Sequence, residues 1–138
     1  LGWGLPAAMG TALAEPETLV VATMGDGSYV FANPVACHQM IEALDLAFVI
    51  LVLNNAEWGA VRQSVKGLYP DGHAARANAM PLTSLAPSPD FSAIAQASRA
   101  WARRVETGAD LPAALAEAVR IAAKERRCAL LDLKVAPD

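Results

Sequence analysis

Two short apolar runs, each followed at once by polar residues, constrain the fold of this chain more than any other feature. Residues 18–24 (TLVVATM) and 47–53 (AFVILVL) are rich in β-branched side chains and have no polar face. Strands that are apolar on both faces are typical of parallel sheets covered by helices. The longest purely apolar run, residues 46–53, has eight residues, whereas a membrane-spanning helix needs about 20. We therefore expect buried parallel strands and no membrane span.

Segments with helical composition or spacing alternate with the strands. One of them places His38 on an apolar stripe, so we expect this histidine to pack in the core. The alternation predicts one α/β domain, a doubly wound parallel sheet with helices on both faces. The region 56–89 is rich in loops, because turn signals and prolines interrupt it. Predicted helices cover residues 7–14, 34–44, 59–66, 91–98 and 111–124, and two further strands cover 102–105 and 128–135.

Composition and charge exclude several classes of function. The chain is 54% apolar and 18% charged, which does not fit a disordered segment. A net charge of −3 argues against a nucleic acid partner, which would require a basic face. Residues 1–61 contain no Lys or Arg, so their apolar surface suggests an interior or an interface. Cys37 and Cys128 are predicted to be reduced core thiols, and the expected location is the cytoplasm.

Polar groups follow both apolar runs. A Gly-Asp-Gly-Ser sequence at 25–28 comes after the first, and an Asn pair at 54–55 comes after the second. Open parallel sheets bind ligands at the carboxyl ends of their strands. The glycines permit a sharp turn with N–H groups open to an anion, and Ser28 adds a hydroxyl donor. Asp26, a neutral amide oxygen and a loop carbonyl suit Mg²⁺, which takes few protein ligands and completes its shell with water and phosphate. These residues predict a Mg²⁺–diphosphate site.

Other interpretations of the same residues stay open. Asp26 taken alone could be only a turn residue, and Asn54 could be a structural loop residue. Trp58 could pack on a ligand or anchor its loop. Arg62 and His73 could each reach a substrate or remain outside the site. A flavodoxin-like or nucleotide-binding module would need a Gly-x-Gly-x-x-Gly or Walker loop, which the sequence lacks. A non-catalytic scaffold of the same fold is the other alternative.

Taken together, the motifs resemble the thiamine-diphosphate-binding domain of the acetolactate synthase and benzoylformate decarboxylase family. The sequences at 25–28 and 54–55 match the two ends of that family's motif, and Met9-Gly10, Pro16 and Val21 match its run-up. The opening at 2–8 also resembles the family's Gly-x-Gly-Leu-Pro-Ala-Ala stretch. The resemblance covers nearly the whole chain. Because the sequence opens without Met, we expect it to be a piece of a longer polypeptide, and the resemblance implies that residues 1–138 are the C-terminal domain of an enzyme.

The resemblance implies a role for each matching residue. Asp26 and Asn55 would bind Mg²⁺ through their side chains, and Glu57 through its backbone carbonyl only. Gly27 and Ser28 would hold the diphosphate. The full set of implied cofactor-binding residues is Leu1, Gly25, Asp26, Gly27, Ser28, Asn55, Glu57 and Trp58, with Leu1 as the apolar prop that bends the cofactor.

The same resemblance implies an enzyme that decarboxylates or carboligates 2-oxo acids with thiamine diphosphate and Mg²⁺. It places no catalytic residue in this segment, because the family's activating glutamate comes from the pyrimidine-binding domain of a neighbouring subunit. A homodimer or homotetramer is therefore expected. One departure concerns the substrate: Ala60 and Ser64 stand where acetolactate synthases have the Met and Trp of the acceptor pocket. This departure argues against acetolactate specificity.

Overall fold

The computed structural model describes residues 1–77 and 79–136. Its centre is a parallel four-stranded sheet in the order β1-β2-β4-β3. The strands are β1 (Val21–Gly25), β2 (Val49–Asn54), β3 (Trp101–Val105) and β4 (Ala129–Lys134). The helices are α1 (Gly4–Ala14), α2 (Asp26–Phe31), α3 (Pro34–Ala43), α4 (Gly59–Leu68), α5 (His73–Arg76), α6 (Phe91–Gln96) and α7 (Leu111–Lys124), with a 3₁₀ turn at Gly108–Asp110. The predicted α/β parallel fold is confirmed.

Helices cover both faces of the sheet and form two apolar clusters with it. On one face, α1, α2, α3 and α6 enclose a cluster in which Tyr29 and Phe91 are fully buried. On the other face, α7 packs on the sheet through Ala114, Ala118 and Ile121. The small side chains of α7 allow a close approach to β4, whose side chains are buried on both sides. This double burial explains why Ala129, Leu130 and Leu131 follow one another without a polar residue.

Two short helices, α2 and α5, were not predicted. Residues 25–28 were expected to form a turn, but the chain enters α2 at Asp26. Glycine disfavours helix, so this segment has little intrinsic helical preference. Burial of Tyr29 against the ring of Phe91, with centroids 5.2 Å apart, provides the tertiary packing that overrides it. Asn33 then adopts φ 55°, which an Asn tolerates, and separates α2 from α3. The predicted bounds of α7 agree with the observed ones, and the other predicted bounds lie within three residues of those observed.

Two further expectations concern the thiols and the membrane. Cys37 and Cys128 are buried and unpaired, as predicted. None of the helices in residues 1–77 and 79–136 is both long and apolar enough to cross a membrane.

Candidate functional site

The predicted site residues share one cleft at the carboxyl ends of β1 and β2. The cleft has a volume of about 750 Å³. Gly25 pairs with Leu53 in the parallel register, so the polar ends of the two strands lie side by side. All eight residues expected to bind the cofactor line this cleft: Leu1, Gly25, Asp26, Gly27, Ser28, Asn55, Glu57 and Trp58.

Asp26 is the buried carboxylate of the cleft, only 2% exposed. Its Oδ1 accepts a hydrogen bond from the N–H of Gly27 at 2.8 Å, and its Oδ2 accepts one from the N–H of Ala56 at 2.8 Å. Burial raises the pKa of the Asp26 carboxyl above its usual value, and these backbone donors oppose the rise. A cation beside the carboxyl would favour its ionised form. Through its two backbone hydrogen bonds, Asp26 connects the end of β1 to the loop that follows β2.

The two asparagines at the end of β2 have different partners. Asn55 lines the cleft, and its Oδ1 accepts a hydrogen bond from the N–H of Glu57 at 3.0 Å. Asn54 is buried, and its Nδ2 donates to Oδ1 of Asp132 at 2.9 Å. The Oδ1 of Asn54 accepts from the hydroxyl of Ser88 at 3.1 Å. Both ends of the Asn54 amide are thus engaged within the protein, which agrees with the structural role that the sequence allowed for this residue.

A second segment, residues 83–85, holds the loop after β2 and is called the strap below. The N–H of Trp58 donates to the carbonyl of Thr83 at 2.7 Å, and the N–H of Leu85 donates to the carbonyl of Ala56 at 2.7 Å. These two bonds form an antiparallel bridge around Glu57 without using the Glu57 carbonyl. The strap therefore fixes the backbone on both sides of the proposed carbonyl ligand.

The structure places three polar side chains at or outside the cleft: those of Glu57, Arg62 and His73. The Glu57 carboxylate pairs with Arg62, whose Nη1 lies 2.9 Å from Oε2, and both side chains are about one quarter exposed. Arg62 therefore neutralises the charge of the Glu57 carboxylate. His73 is exposed at the start of α5 and is not among the described residues that line the cleft.

Trp58 lies directly against Gly27. A Cβ atom at position 27 would lie 2.6 Å from Cε3 of Trp58, closer than any ordinary contact. The Trp58 ring also meets Phe31 edge to face, with centroids 6.4 Å apart. Only glycine leaves room for this ring, so Trp58 both anchors the loop and forms a wall of the cleft.

The residues of α4 that were expected to influence substrate choice line an apolar recess beside the cleft. The recess has a volume of about 340 Å³ and shares Leu1, Ala60 and Val61 with the cleft. Ala60 and Ser64 are small and lie one turn apart, which leaves this space open. The hydroxyl of Ser64 donates to the Ala60 carbonyl at 2.8 Å, so its polar atom is already engaged.

Asp132 is a residue near the site that the sequence analysis missed. It is fully buried in β4, and its Oδ2 has no hydrogen-bond partner among the described residues. Nε of Arg104 lies 4.0 Å from this oxygen, which is too far for a hydrogen bond. Burial raises the pKa of the Asp132 carboxyl. A lone carboxylate inside the apolar strand 128–135 was the available signal.

A buried polar pair, Tyr29 and His38, joins α2 to α3. The hydroxyl of Tyr29 and Nε2 of His38 lie 2.8 Å apart, and both side chains are almost fully buried. Burial lowers the pKa of His38 to about 4, so this imidazole is neutral at physiological pH. His38 packs in the core, as predicted.

Acid should destabilise the domain through His38. The unfolded chain protonates this histidine below about pH 6.5, whereas the folded state resists protonation down to about pH 4. Stability is therefore lost as the pH falls through this window, by about 2 kcal/mol between pH 7 and pH 5. His38→Gln can keep a hydrogen bond to Tyr29 and should lack this loss. Denaturant unfolding of both proteins at the two pH values measures it, and identical pH dependence would contradict the prediction.

The chain matches a family model and curated relatives over most of its length. The model described as "Thiamine pyrophosphate enzyme, C-terminal TPP binding domain" matches residues 1–133. Acetolactate synthase of Mycobacterium avium is 31% identical over 111 residues, which are 80% of this chain and 17% of that protein. Chloroplastic acetolactate synthase 2 of Zea mays is 35% identical over 115 residues, 83% of this chain and 18% of that protein. The chain thus spans less than a fifth of these relatives.

Solved structures match the whole chain. Benzoylformate decarboxylase from Polynucleobacter necessarius has a TM-score of 0.80 and 27% identity, and covers 100% of this chain with 24% of its own. The thiamine diphosphate-dependent 4-hydroxybenzoylformate decarboxylase of Rhodococcus jostii RHA1 has a TM-score of 0.79 and 28% identity over the same shares. Sequence and structure therefore agree that the chain belongs to the thiamine pyrophosphate enzyme family and corresponds to its C-terminal TPP-binding domain.

Proposed function

We propose that this chain binds the diphosphate end of thiamine diphosphate through Mg²⁺, within an enzyme that decarboxylates or carboligates 2-oxo acids. The observation that carries the proposal is the meeting of Asp26 and Asn55 in one cleft at adjacent strand ends. Residues 1–138 would form the C-terminal domain of that enzyme. The small share of each relative that the chain spans supports this division.

The residues of the cleft fit a magnesium diphosphate. Asp26 offers a carboxylate oxygen, Asn55 an amide oxygen and Glu57 a backbone carbonyl, which are the hard donors that Mg²⁺ prefers. Gly27 and Ser28 line the same cleft and offer N–H and hydroxyl donors to phosphate oxygens. When bound, thiamine diphosphate supplies the electron sink for loss of CO₂. The remaining members of the proposed set are Leu1, Gly25 and Trp58, which complete the walls.

The chain's own residues would bind and orient rather than transfer protons. Among the described residues lining the cleft, Asp26 and Glu57 are the two with acidic side chains. Asp26 is assigned to the metal, and the Glu57 carboxylate is already paired with Arg62. The acid–base group would therefore come from outside the segment, and we assign it to the pyrimidine-binding domain of a neighbouring subunit.

We expect weak conversion of pyruvate to acetolactate, because Ala60 and Ser64 leave an open apolar recess where a small substrate gains few contacts. The full-length enzyme with thiamine diphosphate and Mg²⁺ should be assayed with pyruvate, 2-oxobutyrate and benzoylformate. The kcat/KM for pyruvate should fall about tenfold or more below the best substrate, since fit of a few methylenes contributes about 1–3 kcal/mol.

The matched variant for this assay fills the recess. Ala60→Met combined with Ser64→Trp should raise the kcat/KM for pyruvate relative to the kcat/KM for larger 2-oxo acids. Efficient acetolactate formation by the unmodified enzyme would contradict the expected specificity. Failure to bind thiamine diphosphate with Mg²⁺ would instead favour the non-catalytic scaffold of the same fold.

We also expect a homodimer or homotetramer. Large apolar side chains are exposed just before α1 and on α2 and α3: Trp3 is 78% exposed, and Phe31 and Val35 are each 64% exposed. Several large exposed apolar side chains in one region of the sequence support an interface, and residues 1–61 contain no Lys or Arg. Light scattering on the cofactor-loaded full-length protein should give at least twice the subunit mass. An active monomer would contradict the assignment of the acid–base group to a neighbouring subunit.

The proposed compartment is the cytoplasm. Its support is the pair of buried, unpaired thiols, Cys37 and Cys128, because reducing compartments keep cysteines in this state. Cell fractionation with an antibody to the full-length protein tests this location.

A further inference from the structure

We propose that Asp132 is a positioning residue for the metal-binding loop and acts through Asn54. This inference rests on the proposed function but involves no atom assigned to the metal or the diphosphate. Asp132 lies in β4, where the parallel register pairs it with Val52 of β2, two residues before Asn54. It is fully buried and therefore acts from inside the sheet rather than from the cleft.

A continuous series of hydrogen bonds connects Asp132 to the carboxylate of the site. Oδ1 of Asp132 accepts from Nδ2 of Asn54 at 2.9 Å. Oδ1 of Asn54 accepts from the N–H of Ala56 at 3.2 Å and from the hydroxyl of Ser88 at 3.1 Å. The same Ala56 N–H donates to Oδ2 of Asp26 at 2.8 Å. The position of the loop between the proposed metal ligands thus depends on how Asn54 is oriented.

Asp132 determines that orientation. An amide side chain has a donor end and an acceptor end, and the loop requires the acceptor end of Asn54. The donor end must then meet an acceptor inside the sheet, which is Oδ1 of Asp132. A reversed amide would place its NH₂ group against the N–H of Ala56, where two donors face each other. An acceptor at position 132 therefore excludes the wrong orientation.

The environment of Asp132 agrees with a positioning role rather than a stabilising one. A buried carboxylate is costly unless hydrogen bonds and an opposite charge compensate it. Here Oδ2 has no hydrogen-bond partner within the part of the chain that the structure describes, and Arg104 is 4.0 Å away. The compensation is incomplete, so the contribution of this carboxylate must lie in what Oδ1 orients.

The test compares three variants of the full-length protein. Asp132→Leu removes the acceptor, and Asp132→Asn keeps a carbonyl oxygen that can accept from Asn54. Leu131→Val is the matched control, because it perturbs the same buried strand on the side of α7. Calorimetric titration with Mg²⁺ and thiamine diphosphate gives their affinities, and hydrogen exchange of the peptide 54–57 in the cofactor-free protein reports on the loop.

We expect about 10–100-fold weaker Mg²⁺ affinity for Asp132→Leu, the range seen when residues that orient a metal site from behind its ligands are removed. Its 54–57 amides should exchange about tenfold faster or more. Asp132→Asn and Leu131→Val should remain within about threefold of the unmodified protein. Unchanged affinity and exchange in Asp132→Leu would overturn the inference, as would equal losses in the Leu and Asn variants or in the control.

A second comparison covers the case in which Asp132→Leu does not fold. Asn54→Leu with Asp132→Leu removes both polar partners together and leaves no orphaned amide. This double variant should bind Mg²⁺ as weakly as Asn54→Leu alone, and a further loss would overturn the inference. If the unmodified protein binds neither Mg²⁺ nor thiamine diphosphate, the proposed function fails, while the exchange comparison still tests the action of Asp132 on the loop.

Discussion

Replacing Asp26 with Asn should weaken the Mg²⁺-dependent binding of thiamine diphosphate by about 100-fold or more, which is about 2.7 kcal/mol or more. The substitution removes the buried carboxylate that would face a dication. It also disturbs the loop, because both carboxylate oxygens accept backbone hydrogen bonds, from Gly27 and Ala56. The NH₂ group of an Asn must face one of these donors and cannot accept from it. Calorimetric titration of the full-length protein measures the loss.

Asp45→Asn is the control for this experiment. It removes the same charge from an exposed position with φ 50°, a conformation that Asn adopts readily, and Asp45 is not among the described residues lining the cleft. Its affinity for the cofactor should stay unchanged. If Asp26→Asn also retains full affinity, the metal does not bind at Asp26.

Gly27→Ala should weaken cofactor binding by about 10–100-fold. The new methyl group would lie 2.6 Å from the Trp58 ring, so the ring must leave its place against Phe31 and enter the cleft or the solvent. Overpacking of this kind costs about 1–3 kcal/mol, which corresponds to that range in affinity. The change in tryptophan fluorescence and the calorimetric affinity should be measured on the same samples.

The cause of that loss can be separated from a general effect of the methyl group. In a Trp58→Ala background, Gly27→Ala should cost less than threefold in affinity, because the clash is absent. Gly10→Ala, on α1 with open space around its Cβ position, should leave affinity unchanged. An equal loss with and without Trp58 would show that the methyl group acts on the ligand rather than on the ring.

The sequence predicted the parts of the structure that are local. Two runs without a polar face identified parallel strands, and the polar residues directly after them identified the cleft, because parallel strands end at the same edge. The eight implied cofactor-binding residues do line one cleft, while their roles toward the cofactor remain a proposal. A motif contained in a strand end and its loop can be recognised without any knowledge of distant contacts.

The parts that were missed depend on contacts between distant residues. Asp132 meets Asn54 across 78 positions of sequence, so no local pattern joins them. The helix α2 begins in a glycine-rich segment and depends on the packing of Tyr29 against Phe91. The strap lies in a region that reads as proline-rich loop, and its bonds to Ala56 and Trp58 follow no periodic signal. Tertiary partners decided each of these features.

The strap has a consequence for the thermodynamics of ligand binding. Its two backbone bonds join residues 56–58 to a segment more than twenty positions away, so the loop is already fixed in the protein without a ligand. A loop that orders only on binding loses conformational entropy at that moment, which lowers affinity. Here that entropy is lost during folding instead, so the oxygen ligands that we propose would already be in place for a cation. A diphosphate that binds in this cleft would contact a loop whose backbone is already ordered.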